Sequence, residues 1–507
     1  MLNTLNGIES MKIQKEWQIF SVFLGLFALL TRPVATSNDA SRLATIESLV
    51  DFHTFLIDNS RFVWTLDKYF YQGHFYSDKP PILSLYGSLF YALLKVFGIN
   101  FSNQYMLANT LLTILVVGVA TATGMIYLYK IFKFLAVEET WINVLLIIAG
   151  TGTLLLPYST VFSNHVISGS LLVAGFYYLL KVKESIRYSL LSGMLITLAG
   201  SIDVVAFIFV PFFAVSFFNK PLKSKIVFSL ACALVLVIYF QLNLYTSGSL
   251  RPPSMNQSLW EYPGSSFDRT NLSGLAYHSN FSALLNYAFH MIIGHRGLIS
   301  YTPILVFSIW GFVKVFQNKE FKYRQEYLLI LLASSAYILM YILRSNNYSG
   351  YSYGVRWYAN LMFLLCLPLA QISQEIKSSK MLRKAFIIVS CMSIVISFVG
   401  VNHPFVAVDE QRPSSFLNAL LYTFKPIDTQ IYGDNQAMQL SFSNSLLFVL
   451  KQLRVIVIAG LAGLSCYLLV NRVKQFVANR PLLEDGTDWV DRPASRSSHR
   501  IQYWFLV

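Results

Sequence analysis

The chain has 507 residues, 55% of them hydrophobic and only 13% charged, with a mean hydropathy of +0.52. That composition excludes an ordinary soluble domain, because it repeatedly produces apolar runs long enough to cross a bilayer. The formal net charge of +14 would suggest nucleic acid in a soluble protein, but here Lys and Arg cluster at the ends of apolar runs, as orientation signals do, so a nucleic-acid partner is not expected.

The first apolar run, Trp17 to about Leu30, follows Lys12 and Lys15 and predicts a cytoplasmic N-terminus. A cleaved signal peptide, with Ala35-Thr36-Ser37 as a loose site, is the competing reading, and the many later runs favour an uncleaved anchor. The next run, Ile82 to Ile99, has the length of a span. If it crossed, however, Lys130 and Lys133 would fall outside and the later basic loops would be inverted too. Residues 82 to 104 are therefore placed along the outer interface, with Tyr86, Tyr91 and Lys95 at head-group level.

Further spans read approximately 105 to 129, 141 to 159, 163 to 182, 188 to 202, 203 to 218, 225 to 245, 297 to 315, 326 to 344, 355 to 372, 384 to 401 and 452 to 470. With the first, this makes an all-α polytopic membrane protein of about twelve transmembrane helices. Two short helices meet near Gly200-Ser201-Ile202-Asp203, and Tyr301-Thr302-Pro303 should kink a third. Three long loops, 36 to 104, 246 to 296 and 402 to 451, fall on the extracytoplasmic side, so the chemistry is expected there. Residues 1 to 471 form the membrane domain, and 472 to 507 a polar, partly disordered cytoplasmic tail. The four cysteines, Cys232, Cys366, Cys391 and Cys466, sit in apolar runs without metal-ligand spacing and read as buried hydrophobes.

The first long loop carries the densest polar signal. Asn38-Asp39-Ala40-Ser41-Arg42 follows the first span, and Gly73-His74-Phe75-Tyr76-Ser77-Asp78-Lys79-Pro80-Pro81 comes about forty residues later. Asp39 stands where a helix cap is expected, and a carboxylate at a membrane surface can also serve as a general base. Asn38 could cap while Asp39 faces a cavity. Arg42 and Lys79, the latter in a backbone fixed by Pro80-Pro81 and flanked by Tyr76, offer a cationic site suited to a phosphate. Asn164-His165, Arg296 within Gly294-His295-Arg296-Gly297, and Arg356 within Tyr353-Gly354-Val355-Arg356 lie on the same predicted face. Asp203 sits in an apolar hairpin, where an ionisable group costs roughly 2.5 to 3.5 kcal/mol on insertion scales; lining a cavity is the default reason. There is no nucleotide-binding glycine loop, no HExxH and no nucleophile elbow.

On Asp39-x-x-Arg42-x-Ala44, the Gly-x-x-Tyr-x-x-Lys-Pro-Pro element at 73 to 81 and the Tyr-Gly-x-Arg element at 353 to 356, the chain resembles the integral-membrane GT-C glycosyltransferases. Within them it is similar to the group of aminoarabinose transferases and protein O-mannosyltransferases. The resemblance implies a polyprenyl-phosphate-linked sugar as donor, a lipid, glycan or protein as acceptor, an extracytoplasmic site and inversion at the anomeric carbon. It assigns Asp39 as base and Arg42 and Lys79 to the donor phosphate. From their predicted positions, Arg296 and Arg356 join the phosphate site, Arg356 being equally placed to anchor its helix, and Asn164, His165, Asp203 and Tyr76 line the cavity. Members often carry a second carboxylate where this chain has Ala40, which disfavours a divalent metal, and no cofactor is required. A bacterial inner membrane with the site facing out is expected, the endoplasmic reticulum membrane being the alternative. The competing function is a lipid-linked sugar transporter or flippase, which would place ionisable groups at midplane in matched halves; no internal repeat is found.

Overall fold

The computed structural model describes residues 2–350, 352–402, 404–405 and 444–479. Among them, seven helices are long and apolar enough to cross a membrane, and shorter apolar helices stand beside them. The one sheet among the described residues is a two-stranded antiparallel hairpin. The protein is a multi-pass, predominantly helical membrane protein. Helix α1 (Leu2–Leu30) leads into α2 (Ser37–Asp51), the hairpin β1 (Lys68–Tyr71) and β2 (His74–Ser77), and the amphipathic α3 (Pro81–Val96). Then comes α4 (Phe101–Phe134), a 34-residue helix capped by the Asn100 side chain and containing a π-helical segment at Ile114–Gly118.

Ion pairs fix how these elements cross. Glu16, near the start of the apolar span Ile13–Leu30 within α1, meets Lys130 near the end of α4 at 2.8 Å, and Lys15 lies 3.8 Å from Glu139. Lys377 pairs with Glu138 at 2.5 Å, beside the same corner. The chain thus leaves this end along α1 and returns along α4, so α3 does not cross between them. Its exposed Leu89, Leu93, Val96 and Phe97 form an apolar face, and its other face packs on α2. A helix with one apolar face exposed and one packed is what lies in an interface plane.

The middle of the bundle is α5 (Glu139–Thr151), α6 (Asn164–Leu180), α7 (Ile186–Ile202), α8 (Val204–Val215) and α9 (Leu222–Ser247). Close approach replaces hydrophobic drive between helices in lipid: a Cβ on Gly193 of α7 would stand 2.7 Å from the Phe228 carbonyl of α9. The outward side of α9, with Leu230, Leu234, Val237 and Ile238 exposed, has the surface of a lipid-facing helix. The 203 region is a true break, because Asp203 leaves the helix at φ −132°, ψ 98° and α8 opens as a 3-10 turn. The predicted kink is also present: Leu298–Tyr301 stops at Thr302-Pro303 and α11 (Leu305–Gln317) begins beyond, after the amphipathic α10 (Phe281–Ile292). Helices α12 (Arg324–Arg344), α13 (Arg356–Ser378), α14 (Lys380–Asn402) and α15 (Asn444–Ala478) complete the chain. Helix α15 ends at Ala478, and 406–443 and 480–507 lie outside the described residues.

A candidate active site at one end of the bundle

Three segments far apart in sequence converge at the end away from the Lys15–Lys130 corner. The first is the opening turn of α2. Thr36, extended at φ −104°, ψ 178°, is the N-cap, and Asp39 is the acidic half of its capping box. The Asp39 carboxylate accepts from Thr36 N at 2.5 Å and Thr36 Oγ1 at 2.6 Å. This corrects the expected division of labour: Asn38 does not cap, and its amide instead donates to Asp67 at 3.2 Å. Asp39 is 1% exposed, and burial pushes its carboxyl up to about 6 against the lowering effect of the Thr36 bonds.

Arg42, one turn further, is equally enclosed. Its guanidinium donates to the Asn38 carbonyl and side chain at 2.9 and 3.0 Å and to Asn164 Oδ1 at 2.6 Å. Asn164 opens α6, and its amide donates to the Ile202 carbonyl at 3.2 Å, tying α2 to the break before Asp203. Arg42 is therefore committed to protein partners, and burial brings it down to about 10.

The second segment is the hairpin. Strands of consecutive aromatic residues, Tyr69-Phe70-Tyr71 and Phe75-Tyr76, turn at Gln72-Gly73, both at positive φ, the second at +88°, which a glycine adopts without strain. The register pairs Lys68 with Ser77 and so brings Asp67 beside Asp78 and Lys79. Lys79 Nζ lies 2.8 Å from Asp78 and 3.3 Å from Asp67. Burial would raise Asp67, but Lys79, Arg356 and Arg42 together hold it below its usual range; burial and the like charge of Asp67 push Asp78 above. Ser41 joins the two segments, donating to the Asp67 carbonyl at 2.5 Å with its oxygen 2.6 Å from Ser77 Oγ. Tyr76 on β2 stacks on Tyr69 at 5.7 Å, part of an aromatic cluster with Trp260 from the second loop.

The third segment is the 3-10 start of α13, Arg356–Leu361. A Cβ on Gly169 of α6 would stand 2.7 Å from the Asn360 carbonyl, so the missing side chain is what lets this strand of backbone approach. Arg356 lies close enough to influence Arg42, Asp67 and His165 electrostatically. Its guanidinium carbon sits 5.5 Å over the Phe405 ring, and Nε donates no hydrogen bond among the described residues. Arg296, 1% exposed, donates to the Ser352 carbonyl and props the loop before Arg356.

Asp203 and His165 form a buried pair, Nδ1 to Oδ2 at 2.7 Å. The same Asp203 oxygen receives Asn360 Nδ2 at 3.2 Å and lies 3.3 Å from the Tyr337 hydroxyl, which also reaches the Trp357 carbonyl at 3.0 Å. The pair thus connects α6, the helix break, α12 and the Arg356 turn. Two clefts border the site. A small recess, open at its mouth, is lined by Tyr69, Asp78, Lys79, Tyr239, Asn243 and Pro252 among others, and a smaller one lies beside Thr45, Tyr76 and Lys79. Of the expected site residues, Lys79 lines both and Tyr76 the second; Asp39, Arg42, Arg296, Arg356, Asn164, His165 and Asp203 line neither. Sequence reasoning missed Asp67, Asn360 and Asn243. No group of three or more His, Cys, Asp or Glu that could hold a metal occurs among the described residues.

The fold and this end of the bundle define a polytopic membrane protein with an enclosed, charge-rich polar centre. No family model and no curated protein matches the chain. Among solved structures it is similar to the crystal structure of ArnT from Cupriavidus metallidurans in the apo state, at 11% identity over 94% of this chain and 78% of that chain, TM-score 0.48. It is similar also to the crystal structure of that protein bound to undecaprenyl phosphate, with the same identity and coverage and a TM-score of 0.44.

Proposed function

We propose that the protein is a glycosyltransferase that moves a sugar from a polyprenyl-phosphate-linked donor to a lipid, glycan or protein acceptor on the extracytoplasmic face, with inversion. The observation that carries this reading is the convergence of Asp39, Arg42, Asp67, Asp78, Lys79 and Arg356 from three segments at one end of a membrane bundle. Buried cations facing a site where phosphate charge develops lower the barrier more than they would in water.

In this scheme the bond between the anomeric carbon and the phosphate oxygen breaks, and polyprenyl phosphate leaves with the electron pair. The acceptor oxygen or nitrogen bonds the anomeric carbon from the opposite face, and Asp39 takes its proton. Arg356 has the donor capacity for the phosphate, because its Nε is uncommitted and its plane rests on Phe405. Lys79 contributes charge already shared with Asp67 and Asp78, and Arg42 acts chiefly through Asn38 and Asn164. Asp39 is enclosed, so turnover requires the 36–42 turn to open toward the acceptor. His165 and Asp203, sealed by Tyr337 and Asn360, support a positioning role for the Arg356 turn better than a transport path.

Protein reconstituted with undecaprenyl phosphate-linked sugars and extracted membrane acceptors tests the reading. Transfer with release of undecaprenyl phosphate is expected. Movement of the intact donor across the bilayer with no transfer would establish the flippase alternative instead.

A further inference from the structure

We propose that a lysine cluster at the end of the bundle away from the candidate active site, formed by Lys183, Lys220 and Lys322, binds the head group of an anionic phospholipid whose acyl chains lie along α9. The three come from separate loops: 181–185 between α6 and α7, 216–221 between α8 and α9, and 318–323 between α11 and α12. Helix packing brings these loops together, because α7 lies against both α6 and α9, and α8 against α12. Helices α7, α9 and α12 begin at this end and run toward Asp203, the Lys79 recess and Tyr337, so the cluster is remote from the charged centre.

Residues 181–187, 218–226 and 318–326 hold nine Lys or Arg against three Glu, so charge here is left over after any internal pairing. Glu184 is taken by Lys181 at 2.8 Å, and among the described residues no carboxylate lies within ion-pair distance of Lys183, Lys220 or Lys322. Lys322 rests on the Tyr323 ring at 5.3 Å. Burial and the like charges of Lys183 and Lys322 bring the half-buried Lys220 ammonium below its usual range, against the pull of Glu326. A basic cluster between helices at a bilayer surface attracts anionic lipid heads. The surface next to it makes the partner a lipid rather than a dissolved anion. Phe218, two residues before Lys220, is 70% exposed, and Leu222, Ile226, Leu230 and Leu234 follow on α9 at four-residue steps, all exposed. Side chains four apart form one ridge along a helix, so an apolar track starts at the lysines and descends a helix long and apolar enough to cross the membrane.

The test uses full-length, delipidated protein in a neutral detergent. Wild type is compared with the cluster variant, Lys183→Gln with Lys220→Gln and Lys322→Gln, and with a control, Lys380→Gln with Lys384→Gln and Lys474→Gln, which removes as much charge from exposed positions at the same end. Probes are short-chain phosphatidylglycerol, short-chain phosphatidylcholine and glycerol phosphate, titrated at low and high salt. We expect wild type to bind phosphatidylglycerol ~10- to 100-fold more tightly than phosphatidylcholine at low salt, at about fivefold per lysine, and to lose most of that advantage at high salt. The cluster variant should lose the preference and the control should keep it. Arginine at the same three positions retains the charge and should retain the preference, which separates loss of the site from loss of the fold. Equal preference in wild type and cluster variant, or an equal loss in the control, overturns the site. Glycerol phosphate binding as tightly as the lipid leaves an anion site and overturns the lipid assignment. Sugar transfer plays no part in the readout, so these outcomes stand apart from the glycosyltransferase reading.

Discussion

Asp39→Asn separates a base from a helix cap because the two roles move stability and activity in opposite directions. In the folded protein the carboxyl sits at about 6 against an ordinary 3.8, a rise of about two units driven by burial. At about 1.4 kcal/mol per unit, ionising Asp39 in place costs about 3 kcal/mol relative to the unfolded chain. The sign follows from proton counting: between pH 3.8 and 6 the folded state binds more protons than the unfolded, so stability falls as pH rises through that window. Asparagine keeps an oxygen for the Thr36 N–H and carries no charge to desolvate. Asp39→Asn should therefore be as stable as wild type at pH 4 and more stable at pH 7.5, by up to about 3 kcal/mol. Transfer from undecaprenyl phosphate-linked sugar should nonetheless fall ~100-fold or more, because an amide cannot take the acceptor proton. Wild-type kcat/KM should rise with pH through about 6 as the carboxyl ionises. The assays are melting temperature in detergent at both pH values and transfer at equal folded protein. Near-normal transfer by the asparagine variant would leave Asp39 as a cap alone, whatever its effect on melting.

Four further outcomes follow from the same geometry. Arg356→Ala should weaken undecaprenyl phosphate binding by ~10- to 100-fold with little loss of melting temperature, since its Nε has no described partner; unchanged lipid binding by titration would remove it from the phosphate site. Lys79→Ala should destabilise the protein by about 3 kcal/mol, because Asp67 and Asp78 are left buried without their cation, and adding Asp67→Asn should restore part of that loss in a melting assay. Asp203→Asn should raise KM for the donor more than it lowers kcat, as a group that positions the Arg356 turn through Asn360 rather than touching substrate; an equal fall in kcat alone would contradict the positioning role. Single cysteines at Ser102 and Lys133, both exposed, should label from opposite sides of sealed vesicles, and labelling of both from one side would break the crossing order of α1, α3 and α4.

The one-dimensional properties of the chain were sufficient for its architecture. Apolar length located nearly every described apolar helix, and the position of Lys and Arg argued residues 82 to 104 onto the interface, because insertion depends on summed hydrophobicity and on charge sidedness, both local in sequence. The break at Asp203 and the stop at Pro303 were legible for the same reason: a carboxylate in an apolar run and a residue without an N–H each disrupt the helix that carries them. What tertiary structure alone decided is which polar group holds which. Arg42 is bound by Asn164, 122 positions away, and Asp203 by Asn360, 157 away. Lys79 is bound by Asp67 because a two-residue turn at Gln72-Gly73 folds the strands back in one register. A hydrogen bond depends on distances of tenths of an ångström set by helix packing, and spacing along the chain carries no trace of them. The cations were therefore visible in the sequence, while the commitment of Arg42 and Lys79 and the spare capacity of Arg356 came only with the packed bundle.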